Sequence, residues 1–208
     1  MTIATSGHLY VIAAPSGAGK TSLVRALLQQ EPTIRFSISY TTRKMRPNEV
    51  DGRDYHFINH AEFESMIAAG AFLEHAQVFD NYYGTSRVQV EHLLAQGTNV
   101  ILEIDWQGAQ QIRRVLPACR SVFILPPSRE ELERRLRGRG TDDEAIIQRR
   151  LRDAASDMSH WAEFDFVVVN ADFERALKEL HAIVLGRGQA LSADRPALTP
   201  VVNALLHT

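Results

Sequence analysis

The segment LYVIAAPSGAGKT, residues 9–21, restricts the fold more than any other. Its apolar run Leu9–Ala14 has the pattern of a short strand covered on both faces. Pro15 and Gly17 close the run, and Thr21–Gln30 then carries Leu23, Leu27 and Leu28 on one helical face. Between strand and helix lies Ala14-Pro15-Ser16-Gly17-Ala18-Gly19-Lys20-Thr21. Small residues there let successive backbone N–H groups point inward at an anion, and the helix that follows adds its positive dipole end. Lys20 is placed to reach β- and γ-phosphates, and the Thr21 hydroxyl to ligate Mg²⁺. The strict pattern begins with glycine; Ala14 stands here, still a small residue. A strand, this loop and a helix imply a bound nucleotide. They leave the acceptor open, because GTPases, ATPases and kinases all share the device.

The alternation continues along the chain. Phe36–Tyr40 alternates as a strand, and Asn59-x-x-Glu62 opens a helix that stops near Gly70. Phe72–Phe79 has strand character, and Ser86-x-x-Gln89 opens a helix closed by Gly97. Asn99–Ile104 is a strand ending in Asp105, Gln107–Val115 a helix, and Ser121–Leu125 a buried strand. Ser128-x-x-Glu131 and Thr141-x-x-Glu144 mark two more helix starts, with Gly138-Arg139-Gly140 between their helices. Phe166–Val169 and Phe173–Leu185 supply a last strand and helix. The expected fold is α/β, a parallel sheet of the P-loop NTPase type with helices on both faces. Residues 41–90 break the rhythm and read as an inserted small α+β subdomain, and from Gly186 the chain reads as a tail, either loosely ordered or docked by its last apolar residues.

Composition sets the boundaries. With 208 residues, 45% hydrophobic and 23% charged, the chain has enough apolar content for one self-sufficient core. No apolar stretch approaches the roughly 18 residues of a membrane span, and the start MTIATSGH lacks the features of a signal peptide. One cysteine, Cys119, excludes an internal disulfide framework, so the expected compartment is the cytoplasm. A net charge of −2 argues against a broad nucleic-acid surface.

Three lysines stand against twenty arginines, and many of the arginines fall into two clusters. One holds Arg43 and Arg46, followed by Gly52-Arg53-Asp54-Tyr55; the other holds Arg134, Arg135, Arg137 and Arg139, then Arg149 and Arg150. Interleaved Glu130, Glu131 and Glu133 also suit an ordinary solvated helix face, but the glycines flanking Arg139 suit a hinged lid. Phosphoryl transfer spreads charge over equatorial oxygens, so cationic clamps and Mg²⁺ carry its catalysis. A phosphate acceptor is already a nucleophile at pH 7 and needs no general base. That fits a chain with no evident Ser–His or His–Asp arrangement.

These motifs, APSGAGKT (14–21), SYTTRKMRPNEVDGRDYHF (39–57), FLEHAQVFDNYYGT (72–85), ILEIDWQG (101–108) and FILPPSREELERRLRGRGTD (123–142), resemble the guanylate kinase family. The resemblance covers about residues 7–185. It implies transfer of the γ-phosphoryl of ATP to GMP with Mg²⁺. It also implies a core (7–40, 91–128 and 158–185), a GMP-binding insertion (41–90) and a lid (129–157), with 186–208 outside it. On it, Arg43, Arg46, Tyr55 and Tyr83 match the positions holding the GMP phosphate. Glu74 and Asp105 match the carboxylates that accept from guanine N1–H and N2–H₂, with Ser39 and Thr85 near O6. Lys20, Arg135, Arg139 and Arg150 match the clamps on the transferring and donor phosphates, and Asn170 a position near the donor adenine. Adenine lacks both the N1 proton and the 2-amino group, so a carboxylate facing it is left unpaired and rejects it.

Glu103 has two readings, since on a strand it shares a face with Asp105. It either orients a Mg²⁺-bound water or is an ordinary solvated strand end. Tyr82 reads as packing, Trp106 as core, Cys119 as a buried thiol, and the eight histidines show no metal spacing. Two other functions compete: a guanylate-kinase-like binding module without catalysis, and a kinase for another small phosphorylated acceptor. The intact Gly19, Lys20, Thr21, Arg135 and Arg150 speak against the first, and the pair Glu74 and Asp105 against the second.

Overall fold

The computed structural model describes residues 7–78, 80–138 and 143–206. Strand β1 (Leu9–Ala13) is buried at every position, as its unbroken apolar run requires. It leads through the phosphate loop into α1 (Lys20–Gln30), then β2 (Arg35–Phe36), β3 (Tyr40–Thr41) and β4 (His56–Phe57). Helix α2 (His60–Ala68) precedes the hairpin β5 (Phe72–Val78) and β6 (Asn81–Ser86), and α3 (Arg87–Ala95) precedes β7 (Val100–Glu103). Then come α4 (Trp106–Val115), β8 (Arg120–Leu125), α5 (Arg129–Arg137), α6 (Glu144–Ser159), β9 (Phe166–Val169), α7 (Phe173–Val184) and α8 (Thr199–Leu206).

The architecture is mixed α/β with two sheets. The larger has strand order β2-β7-β1-β8-β9, with β2–β7 and β8–β9 parallel. The smaller has order β4-β3-β6-β5, with β3–β4 parallel and the other pairs antiparallel. The chain forms two compact units. One comprises residues 1–11 and Pro32–Arg120 and holds the whole smaller sheet; the other comprises Ile12–Glu31 and the chain from Ser121 onward, and holds the phosphate loop.

Helix starts follow the capping chemistry. The Asn59 side chain accepts from the Glu62 N–H while the Glu62 carboxylate accepts from the Asn59 N–H, a complete capping box. Ser86 caps α3 and Ser128 caps α5 through their hydroxyls. At α6 the cap is Asp143, which accepts from the Ile146 N–H; Thr141 and Gly140 lie outside the described residues. So does Phe79, and β5 as described ends at Val78.

The run Phe36–Tyr40 is not one strand. Phe36 belongs to β2 in the larger sheet and Tyr40 to β3 in the smaller one. Ser37 and Ser39 are buried between them, so alternation here marks two sheets that one segment serves in turn.

The segment after Gly186 is structured. Ala193, Leu198, Val202 and Leu205 are buried, and Ala193 N–H donates to the Asp165 carbonyl at 3.0 Å. The Arg195 guanidinium donates to the carbonyls of Leu191 (2.6 Å), Ser192 (2.9 Å) and Val167 (2.8 Å). Arg129 Nε donates to the Leu205 carbonyl at 2.6 Å, tying α8 to α5. Among the described residues no helix is long and apolar enough to cross a membrane. Arg195→Met keeps much of the side-chain volume but leaves these carbonyls without their donor. The expected loss is on the order of 2–3 kcal/mol, read as a lower denaturation midpoint at unchanged slope.

Candidate active site

Gly17 and Gly19 both sit at φ 95°, a left-handed conformation glycine adopts without strain, and they curl the loop ahead of α1. Lys20 and Thr21 are the first two residues of that helix. The loop is packed from outside: a Cβ at Gly17 would lie 2.9 Å from Leu132 Cδ1 and 3.0 Å from Leu136 Cγ. Both leucines belong to α5 and are almost fully buried. The Ala18 carbonyl accepts from Asn170 Nδ2 at 2.7 Å and from Arg135 Nη1 at 3.3 Å. Arg135 Nη2 also donates to the Asn170 carbonyl at 2.9 Å, and its Nε to Glu131 Oε1 at 2.7 Å. Hydrogen bonds from Arg134 and then Arg135 hold the Glu131 carboxyl down to about 2. Asn170 follows β9, and its N–H continues the ladder onto the Leu125 carbonyl at 2.8 Å. Arg150 lies half-buried on α6 near the buried Ile147 and Ala154, while Arg139 lies outside the described residues.

The other unit carries the first arginine cluster. The Arg43 guanidinium stands 5.3 Å from the Tyr55 ring centroid and 5.6 Å from that of Phe57. The Tyr55 and Tyr83 rings meet edge-on at 5.9 Å. Glu49 closes the set: Arg43 Nη1 and Nη2 donate to its two carboxylate oxygens at 3.0 and 2.8 Å, and the Arg46 N–H donates to it at 2.8 Å. Burial acts to raise the Glu49 carboxyl, but hydrogen bonds from Arg43 and the Arg46 N–H outweigh it and hold the group below its ordinary value. Burial, with Glu103 as second cause, pushes the Tyr55 phenol up to about 12. It is therefore an O–H donor throughout the neutral range. Two cations and two phenols form a donor set suited to a phosphate.

A second group lies in the same unit. Thr85 Oγ1 donates to Glu74 Oε1 at 2.6 Å, and both residues are buried. The strand reading of Asp105 is corrected: β7 ends at Glu103, and Asp105 caps α4 by accepting from the Gly108 N–H at 2.8 Å. Gly108 is what lets the carboxylates converge. A Cβ there would lie 2.6 Å from Glu74 Oε2 and 3.3 Å from Asp105 Oδ1. Gln111 fastens the strand to this helix, accepting from the His75 N–H at 3.1 Å and donating to its carbonyl at 2.8 Å. Two carboxylates beside a hydroxyl suit a base with adjacent N–H donors. Ser39, also buried, accepts the His56 N–H through its carbonyl at 2.9 Å.

Neither Glu49, Gly108 nor Gln111 stands out from residue types and spacing alone. Tyr82 is a packing residue, stacked on Phe63 at 5.4 Å; Trp106 is half-buried at the start of α4; Cys119 is buried. His56 lies on β4 and His60 opens α2. Among the described residues no three His, Cys, Asp or Glu side chains gather as a metal cage. The Thr21 hydroxyl and Glu103 carboxylate are each hard oxygen donors of the kind Mg²⁺ accepts while keeping several waters.

Comparison with known proteins gives one family. The family model described as guanylate kinase matches residues 6–186. The chain is 57% identical to a guanylate kinase of Methylococcus capsulatus, covering 97% of this chain and 99% of that protein. It is 52% identical to one of Escherichia coli K12, covering 96% and 98% respectively. The crystal structure of guanylate kinase from Anaplasma phagocytophilum superposes with a TM-score of 0.74 at 32% identity, covering 96% of this chain and 95% of that one.

Gly108→Ala is expected to displace the Glu74 carboxylate while gaining helix propensity. Its signature is a GMP KM raised about tenfold or more with little change in melting temperature. Raising pH through the Tyr55 titration tests the phenol. Its folded value lies above the ordinary 10, so its contribution is complete below pH 10 and is lost as pH rises towards about 12. Tyr55→Phe should flatten that part of the stability profile, measured by denaturant titration at successive pH values.

Proposed function

The chain belongs to the guanylate kinase family, and from that premise we propose how its own residues carry γ-phosphoryl transfer from ATP to GMP. The backbone N–H groups of Ala14–Thr21 and the start of α1 receive the ATP phosphates, with Lys20 on the β- and γ-phosphates. Arg135, Arg139 and Arg150 neutralise the charge that develops as the phosphoryl group moves. Arg135 is preset for this: Glu131, Ala18 and Asn170 fix its guanidinium beside the loop. Asn170 lies in the donor site near the adenine. Arg43, Arg46, Tyr55 and Tyr83 hold the GMP phosphate. Glu74 and Asp105 accept from guanine N1–H and N2–H₂, with Ser39 and Thr85 near O6.

The chemistry then needs no base. An oxygen of the GMP phosphate, mostly dianionic at neutral pH, forms the new bond to Pγ. The bond from Pγ to the β,γ-bridging oxygen breaks, and ADP leaves with that electron pair. Mg²⁺, entering with ATP, would supply neutralisation of the negative charge on the phosphates. The Thr21 hydroxyl is its proposed protein ligand, and Glu103 a partner through water. Residues 41–90 form the GMP-binding part and 129–157 the lid, within a core of 7–40, 91–128 and 158–185. The cytoplasm, where both nucleotides are at hand, is the proposed compartment.

The observation that carries this reading is the convergence of Glu74 and Asp105 beside Gly108. It supplies what guanine recognition needs and what adenine recognition does not. The test is ADP formation from ATP and Mg²⁺ with GMP, AMP, UMP, CMP or a sugar phosphate as acceptor. Turnover with GMP alone is expected. Folded protein that binds GMP but turns over no acceptor would indicate a binding module instead. Glu74→Gln should lose GMP selectivity by about 10²-fold or more while ATP binding stays intact, since only the base-reading carboxylate changes.

A further inference from the structure

Arg43 reaches its proposed phosphate role with much of its guanidinium already engaged. Of five N–H donors, Nη1 gives one to the Lys44 carbonyl at 2.8 Å and one to Glu49 Oε2 at 3.0 Å, and Nη2 gives one to Glu49 Oε1 at 2.8 Å. Beyond these bonds stand Nε–H and the second Nη2–H, which point the same way and form the side-on fork of a guanidinium. The spacing of such a fork matches two oxygens of one phosphate. The Tyr83 phenol also interacts with this guanidinium. The Tyr55 and Phe57 rings stand beside it.

Glu49 is itself held by the loop. Its carboxylate accepts the Arg46 N–H at 2.8 Å, and its own N–H donates to the Arg46 carbonyl at 3.0 Å. Arg43 and Glu49 side chains are only 14% and 15% exposed, so the pair is shielded enough for its geometry to persist. The Arg46 guanidinium, 56% exposed, lies 3.9 Å from the same carboxylate. An acid beside a phosphate site can act in two opposite ways. It can occupy the arginines as a stand-in anion that substrate must expel, or brace them in the pose substrate needs. A stand-in would cover the Nε/Nη2 fork; Glu49 instead takes the neighbouring Nη1/Nη2 edge.

We propose that Glu49 is a positioning residue for the acceptor phosphate: it braces Arg43 from the Nη edge and turns the Nε/Nη2 fork towards the substrate. Fixing a side chain that otherwise samples many rotamers makes phosphate capture less costly. The inference rests on the reading of Arg43 as a phosphate ligand.

The test compares Glu49→Gln, Glu49→Asp and Arg43→Lys in steady-state kinetics, with melting temperature and guanosine affinity measured on each. Guanosine carries the base without the phosphate, so it reports on site integrity apart from the brace. Glu49→Gln is expected to raise the GMP KM about tenfold or more, with ATP KM and guanosine affinity nearly unchanged. Glu49→Asp keeps the charge at shorter reach and should recover part of that loss. A lowered GMP KM in Glu49→Gln would identify a stand-in anion and overturn the proposal. So would an unchanged KM, or a loss shared equally by GMP, ATP and guanosine with a fallen melting temperature. If Glu49→Gln does not fold, the same criteria apply to Glu49→Asp. Arg43→Lys separates the two levels: an unchanged GMP KM there removes the phosphate assignment and the inference with it. A raised one beside an unaffected Glu49→Gln removes the inference alone.

Discussion

A loop that aims its N–H groups at an anion turns carbonyls the other way, and buried carbonyls need donors. At Ala18 that need is met twice, by the Asn170 amide and the Arg135 guanidinium. Much of the donor side follows from this one acceptor. It fixes why an asparagine follows β9, since the strand delivers an amide to the back of the loop. It also fixes why Gly19 has no side chain: a Cβ would lie 2.3 Å from Asn170 Nδ2. Arg135 is drawn into the same junction, so the helix carrying it is anchored by chemistry as well as by Leu132 and Leu136.

The two phosphate sites proposed here obey different rules. The loop uses backbone dipoles, which need no charge of their own and so little neutralisation before substrate arrives. The acceptor side uses arginines, whose charge and flexibility must be managed in the empty state. Its partly buried guanidinium is accordingly surrounded by a carboxylate, a carbonyl and aromatic faces. The proposed base site adds a third solution, in which carboxylates are stationed by a hydroxyl and a helix terminus. Helix caps are normally structural; Asp105 caps α4 with one oxygen and stands beside the buried Glu74.

Much of this was legible in the sequence, because the relevant rules are local. The phosphate loop, the capping box at Asn59 and the caps at Ser86 and Ser128 each depend on residues within one turn. What escaped was non-local. FSISY alternates as a single strand should, and only pairing partners elsewhere in the chain divide it between β2 and β3. Glu49 looks like another charge in a polar stretch until its carboxylate is found on Arg43. Gly108 sits inside a helix, where glycine merely looks unfavourable, until Glu74 is seen to need the space. For the segment from Gly186 the sequence offered docking by its last apolar residues as one of two readings, and Leu198, Val202 and Leu205 are buried; the bond from Arg195 to the distant Val167 carbonyl had no local signal.

The bond between Ala18 and Asn170 joins positions 152 residues apart. During synthesis the phosphate loop leaves the ribosome early, but its supporting amide arrives only when most of the chain has been made. At about 5–20 residues per second, that interval is roughly 8–30 seconds. Until then the Ala18 carbonyl lacks that amide, and the loop's glycines leave its N–H groups freer to turn. The bracing of this loop is thus a late event, timed by the distance along the chain between a carbonyl and its amide.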